Sequence, residues 1–194
     1  MEYIIKEYVR EEICALQNLD FDKVNEILKS IVSAYQTGGR VYLMGNGGSS
    51  ANASHWVNDM RKNIRNINNG FDVVCLTDNV PLFTAYSNDS AYEDSFLEQI
   101  KGRIRQKDVV IALSVSGNSP NLVRAFQYAK EMNCRTISII ADYNGDLMKL
   151  SDVALVIGTK NYGIAEDIQQ TINHILVQTI KEQPVTMIRE ENVC

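Results

Sequence analysis

Five apolar runs rich in β-branched residues, separated by stretches of helical spacing, constrain this 194-residue chain more than any other feature. They are Arg40–Met44, Phe71–Thr77, Asp108–Leu113, Thr136–Ile140 and Val153–Ile157. Alternation of such runs with helices predicts a parallel sheet covered on both faces, with right-handed crossovers. The helices are expected over 49–62, 81–86, 92–100, 121–132, 147–150 and 164–181, with a polar loop over 63–70. Before the first strand, Ile4, Ile5, Val9, Ile13 and Leu16, then Val24, Ile27, Leu28, Ile31 and Val32, mark two amphipathic helices broken near Asn18–Asp20. Lying outside the alternation, these helices must cover a sheet face or pair with another subunit. The expectation is a three-layer, doubly wound α/β fold with a five-stranded parallel sheet and two leading helices. It forms one domain over 1–194: a helical extension (1–36), an α/β core (40–181) and a tail containing Pro184 (184–194).

Composition narrows the function. The net charge of −5 argues against a broad nucleic-acid surface, whereas a small anion held by amides and hydroxyls needs no basic protein. Cys14, Cys75, Cys134 and Cys194 are far apart and form no CxxC pair, so neither a zinc knuckle nor a disulfide framework is expected. Cytoplasm is the natural compartment. The first residues are too charged for a signal peptide, and no apolar run reaches membrane-spanning length.

Ligands in doubly wound folds sit at the carboxyl ends of the strands, where two turns stand out. Gly45-Asn46-Gly47-Gly48-Ser49-Ser50 joins the first strand to a helix, and Ser49 or Ser50 is expected to cap that helix. Alone, this turn also fits simple tight geometry. It lacks the Lys-Ser/Thr ending of a Walker A loop. A dinucleotide site fits poorly, because Ser50 replaces the third glycine and Asp78 comes late. Ser114-Val115-Ser116-Gly117-Asn118-Ser119-Pro120 places three hydroxyls and a glycine before the next helix. Each serine alone reads as an N-cap; together they read as a phosphate cradle.

His55 and His174 are the two histidines of the chain. A lone histidine is more often packed or superficial than catalytic, but His55 and Asp59 form an i,i+4 pair that shares a helix face. Glu166, Gln170 and His174 recur at helical spacing on the last helix. Trp56 reads as core or interface packing, and Arg61-Lys62-Asn63-Ile64-Arg65 as a solvated helix end, from which Arg61 or Lys62 can reach a sugar across an interface.

The two turns, with Ser87-Asn88-Asp89-Ser90-Ala91-Tyr92 between them and Asn173-His174-Ile175-Leu176 near the end, resemble the sugar isomerase (SIS) domain family. The resemblance runs from Arg40 to Lys181 and is greatest to the phosphoheptose isomerase type. It implies an aldose–ketose isomerase converting sedoheptulose 7-phosphate to D-glycero-D-manno-heptose 7-phosphate through an enediolate, with no organic cofactor. It also implies a homotetramer with interfacial active sites. By resemblance, Asp59 is the base and His174 its acid–base partner. Ser114, Ser116 and Ser119 take the phosphate, and Asn46, Gly47, Ser49, Asn88, Asp89 and Glu166 contact the sugar. Zinc, bound by some members, would fall to His55, Asp59, Glu166 and His174. Three departures stand out: Asp59 where the family has Glu, Glu166 where it has Gln, and Val115 where it has Thr. The family also implies other uses of the fold. One is a non-enzymatic tetramer binding a protein partner, as the member that binds the bacterial replication initiator does; another is a sugar-phosphate sensor. Retention of both histidines and Asp59 disfavours the first, and the second would tolerate loss of Asp59 and His174.

Overall fold

The computed structural model describes residues 1–64, 70–183 and 185. Strands β1 (Val41–Gly45), β2 (Val73–Cys75), β3 (Val109–Ser114), β4 (Arg135–Ala141) and β5 (Val153–Ile157) form one sheet, ordered β2-β1-β3-β4-β5, with every pairing parallel. The helices are α1 (Glu2–Gln17), α2 (Phe21–Thr37), α3 (Gly47–Asn58), α4 (Val80–Asp89), α5 (Leu97–Ile100), α6 (Pro120–Glu131), α7 (Asp146–Leu150) and α8 (Tyr162–Glu182). This is the α/β architecture expected. The second strand is shorter than its apolar run suggests. The expected loop falls largely on 65–69, and the tail almost wholly on 184 and 186–194, outside the described residues.

Side chains alternate across each strand, and both faces are buried. Val41, Leu43, Val109, Ile111, Leu113, Ile137 and Ile139 enter one core with α2, α3 and α8. Tyr42, Met44, Val110, Ala112 and Ile140 enter the other with α5, α6 and α7. Two buried faces are why the strand sequences are apolar almost without interruption.

Of the leading helices, α2 covers a sheet face and α1 leaves its apolar stripe exposed. Asp20 caps α2 by accepting from the Lys23 N–H, and Ile27 and Ile31 carry the helix into the sheet core. On α1, Ala15 is the one buried residue, while Tyr3, Ile4, Ile5, Val9 and Ile13 are exposed. The opposite side of α1 is tied to α8 by the Tyr8 hydroxyl, which donates to Asp167 over 2.6 Å. That hydrogen bond, with some desolvation, pushes the Tyr8 phenol up to about 12. Among the described residues no helix is long and apolar enough to cross a membrane.

The strand order places a topological switch between β1 and β3. From β1 the chain turns into α3 on one face, and from β3 into α6 on the other, opening a crevice at their carboxyl ends. Glycine is required at its floor: a Cβ on Gly45 would lie 2.7 Å from the Ser49 carbonyl and 3.0 Å from that of Leu113. Gly45→Ala should therefore cost about 1–3 kcal/mol through forced backbone movement. In a chain of this size each kcal/mol lowers Tm by roughly 2–4 °C. Calorimetry beside Gly158→Ala, whose Cβ would meet nothing within 4 Å, checks this; equal melting temperatures would contradict it.

Candidate active site

Both turns line one cavity of about 130 Å³, walled by Asn46, Ser49, Ser114, Ser116, Ser119 and Glu166, with Tyr162 and Val115. The expected cap is corrected here. Asn46, not Ser49 or Ser50, occupies the N-cap of α3, and the helix opens at Gly47 with φ 55°. Ser49 is thereby left facing the cavity, while Ser50 donates to Thr77 over 2.7 Å. The Asn46 side chain caps nothing. Its amide pairs reciprocally with that of Asn121, at 3.0 Å in each direction, and its oxygen accepts from the Tyr92 hydroxyl at 2.9 Å. This network spans the crevice and holds the glycine turn against the start of α6.

In the serine turn, Ser114 Oγ accepts from the Gly117 N–H and Ser116 Oγ from the Asn118 N–H, which fixes both hydroxyls. Ser119 is the N-cap of α6, yet its side chain makes no capping bond. The N-termini of α3, α6 and α8 all reach this cavity with the positive ends of three helix dipoles, although at α8 the Gly163 and Ile164 N–H groups are already taken by the Asn161 side chain. Glu166 adds a carboxylate to the same wall, so close to the α3 backbone that a Cβ on Gly48 would collide with it.

Farther along α3 and α8 lies a second group. Asp59 Oδ2 is 3.3 Å from His55 Nε2 and 3.5 Å from His174 Nε2, and the imidazole centroids are 5.5 Å apart. Its carboxylate is positioned by Asn173 Nδ2, which donates to Oδ2 at 2.7 Å, and by Asn58 Nδ2, which donates to Oδ1 at 3.1 Å. Gln170 Nε2 lies 3.0 Å from His174 Nε2. The Asp59 side chain is 6% exposed, whereas His55 and His174 are 48% and 58% exposed, so two imidazoles cover a sunken carboxylate.

His55, Asp59 and His174 offer ligand atoms within 4.8 Å of one another. A tetrahedral zinc with bonds of about 2.0–2.1 Å separates its ligands by roughly 3.3 Å, close to the spacing about Asp59. Two imidazoles and a carboxylate with an open fourth side suit a zinc that also binds substrate. Glu166 does not join this triad; two helical turns away, it belongs to the serine cavity instead.

Asn88 and Asp89 do not line the cavity. They end α4, exposed, with Asn88 donating to Asp89 at 3.0 Å. Trp56 is fully buried and donates to the Gln169 carbonyl, a packing role. Tyr92, Asn121, Tyr162 and Asn173 are site residues that the sequence reading passed over. Tyr92 and Asn173 lie within the quoted motifs, whereas nothing local marks Asn121 or Tyr162.

Comparison with known proteins bears on the family and the fold. A protein of Thermoplasma acidophilum named "Probable phosphoheptose isomerase" is 30% identical, over 92% of this chain and 98% of its own length. The phosphoheptose isomerase of Citrifermentans bemidjiense is 28% identical over 89% and 90%. In fold, the chain is similar to a phosphoheptose isomerase structure from Francisella tularensis, with a TM-score of 0.86 at 21% identity, covering 94% of this chain and 96% of that one. The model of the SIS domain matches residues 6–141, well over half of the sequence, and this chain therefore belongs to the SIS domain family.

Proposed function

We propose that this chain is an aldose–ketose isomerase of phosphorylated sugars, converting sedoheptulose 7-phosphate to D-glycero-D-manno-heptose 7-phosphate. The observation that carries the reading is Asp59 held between two imidazoles, on the same two helices whose N-termini line the serine cavity. The names of its relatives, phosphoheptose isomerases, support a heptose phosphate as the substrate class.

The phosphate binds at Ser114, Ser116 and Ser119 with the helix N–H groups, and Asn46, Gly47 and Ser49 meet the sugar. Glu166 would repel a phosphate dianion, but it accepts well from sugar hydroxyls. Asp59 takes the C1 proton of the ketose, leaving an enediolate, and the proton returns at C2. His174 exchanges protons with the two oxygens as the carbonyl moves from C2 to C1. His55, Asp59 and His174 would hold a zinc ion, which would supply Lewis-acid polarisation of the carbonyl.

From Ser49 to His55 and from Glu166 to His174, the two parts of the site lie roughly 9–12 Å apart along the helix axes. An acyclic heptose phosphate is long enough to engage both. The half-exposed imidazoles and the bare apolar stripe of α1 leave surfaces for other copies to cover, in keeping with a homotetramer. The chain acts as one domain in the cytoplasm, where its dispersed thiols stay reduced.

In deuterated water, the protein should convert sedoheptulose 7-phosphate to the aldose with C–H exchange visible by NMR. Asp59→Asn and His174→Ala should each lower kcat by about 10²–10⁴-fold. Absence of turnover in zinc-loaded protein would refute the substrate, and full activity in both variants would refute the residue assignment. Chelator-stripped protein titrated with zinc should take up about one ion per chain by elemental analysis. Most of that uptake should be lost in His55→Ala. Light scattering should report a species larger than one chain, and charge on the α1 stripe, as in Ile5→Glu with Val9→Glu, should shift it toward smaller forms; a monomeric parent protein would remove the assembly from the proposal.

A further inference from the structure

The opposite edge of the sheet, where the strands begin, carries polar chemistry that the isomerase reading leaves unused. Beside the starts of β1 and β3, Arg40, Arg103, Arg105 and Lys107 wall a cavity of about 150 Å³. Four cations around one small cavity stand out in a chain of net charge −5. Two carboxylates share the wall, but both are engaged. Asp72 accepts from Arg40 Nε at 2.8 Å. Asp108, 4% exposed, accepts from the backbone N–H groups of Arg40 and Arg105, each at 2.8 Å. Among the described residues, neither Arg103 nor Arg105 has a carboxylate partner.

Part of this charge has an ordinary explanation. Lys107 Nζ lies 3.4 Å from the Thr37 carbonyl and so offsets the negative end of α2. Arg40 is taken by Asp72. Arg103 and Arg105 have no such duty, and the backbone that carries Arg105 is fixed. Its N–H goes to Asp108, and its carbonyl accepts from the Asp108 N–H at 2.8 Å and from the Cys134 thiol at 2.9 Å. Burial, with Asp108 nearby, pushes that thiol up to about 11, so Cys134 serves as a structural donor rather than a nucleophile.

Lys107 and Asp108 also line an adjoining groove of about 490 Å³, whose further walls include Ser30, Ser33, Gln106 and Asn133. That volume falls within the range of small-molecule sites. Its hydroxyls and amides are groups that pair with a polyhydroxylated compound.

We propose that this edge binds a small phosphate ester. Its phosphoryl group sits between Arg103 and Arg105, and its hydroxylated part lies along the groove. The planar guanidinium fork matches phosphate oxygens two at a time, which suits arginine to this task. The proposal does not depend on the isomerase reading, and the two sites differ in kind: one is hydroxyl-lined, the other cationic. Calorimetric titration of the full chain with pyrophosphate separates them. Binding should persist in Ser116→Ala/Ser119→Ala and weaken by roughly tenfold or more in Arg103→Gln/Arg105→Gln, with Arg103→Lys/Arg105→Lys between. Raising salt from about 50 to about 300 mM should weaken it severalfold through screening. Both arginines are exposed, so their variants should keep the parent melting temperature. Binding unchanged by the glutamine pair, binding abolished by the serine pair, or no binding at about 5 mM pyrophosphate at low salt would each overturn the proposal.

Discussion

The polar seam between α3 and α8 is the contact on which the candidate site depends. Asn52, Trp56 and Asp59 recur at helical spacing and meet α8 in step: Asn52 donates to the Glu166 carbonyl and to Gln169, Trp56 to the Gln169 carbonyl, and Asp59 accepts from Asn173. Gln169 in turn donates to the Ile139 carbonyl of the sheet. Buried polar groups are costly when unpaired, so rotating either helix would break several of these bonds together. With α3 held in one rotation, Ser49 faces the cavity, Asp59 turns inward, and His55, on the outer flank, arrives opposite His174. The glycines serve the same end: Gly45 and Gly48 let α3 start directly under the strand end and against Glu166.

If Asp59 stands where the resemblance expects glutamate, its carboxylate is shorter by one methylene and would fall short of a substrate held at the same distance. The backbone changes just here. The α-helix ends at Asn58, and Asp59 opens a π turn running to Asn63, whose extra residue re-aims the side chains it carries. Asp59 nevertheless stays sunken, fixed by two asparagines beneath two half-exposed rings. On the proposed isomerase reading the histidines meet incoming sugar first, and the carboxylate both orients them and awaits a proton. In the serine cavity, the Glu166 carboxylate favours hydroxyl donors over phosphate oxygens.

Much of the fold was legible in the sequence, because β-branched runs buried on both faces have few other places to go. What escaped was set at longer range. Serine is a good cap, yet Asn46 took that position because its amide is also gripped by Asn121 and Tyr92, contacts more than forty residues distant. The His55–Asp59 pair followed from spacing on one helix. The approach of His174 depends on how α3 and α8 pack, which no local pattern states. The same limit misplaced Glu166: eight residues before His174 on one helix, it lies too far along the axis to share the triad's ligand position. The cationic edge was missed for a related reason. Arg103, Arg105 and Lys107 carry no local mark, and they wall a cavity only because the α2–β1 turn folds beside them.

The polarity of a doubly wound sheet explains why its two ends use different chemistry for anions. Every helix that follows a strand presents its N-terminus at the carboxyl edge, and there α3, α6 and α8 converge on the serine cavity. Each dipole contributes about 0.3–1 kcal/mol toward a negative charge, so the proposed phosphate site can rest on hydroxyls and amides rather than a cation. At the other edge the helices end, α2 at Thr37 and α6 at Glu131, and an anion there meets the wrong end of the dipole. Lys107 over the Thr37 carbonyl removes that penalty, and only charge beyond such neutralisation can attract a ligand. Arg103 and Arg105 are that excess, which is why a second anion site on this fold has to be built from arginine.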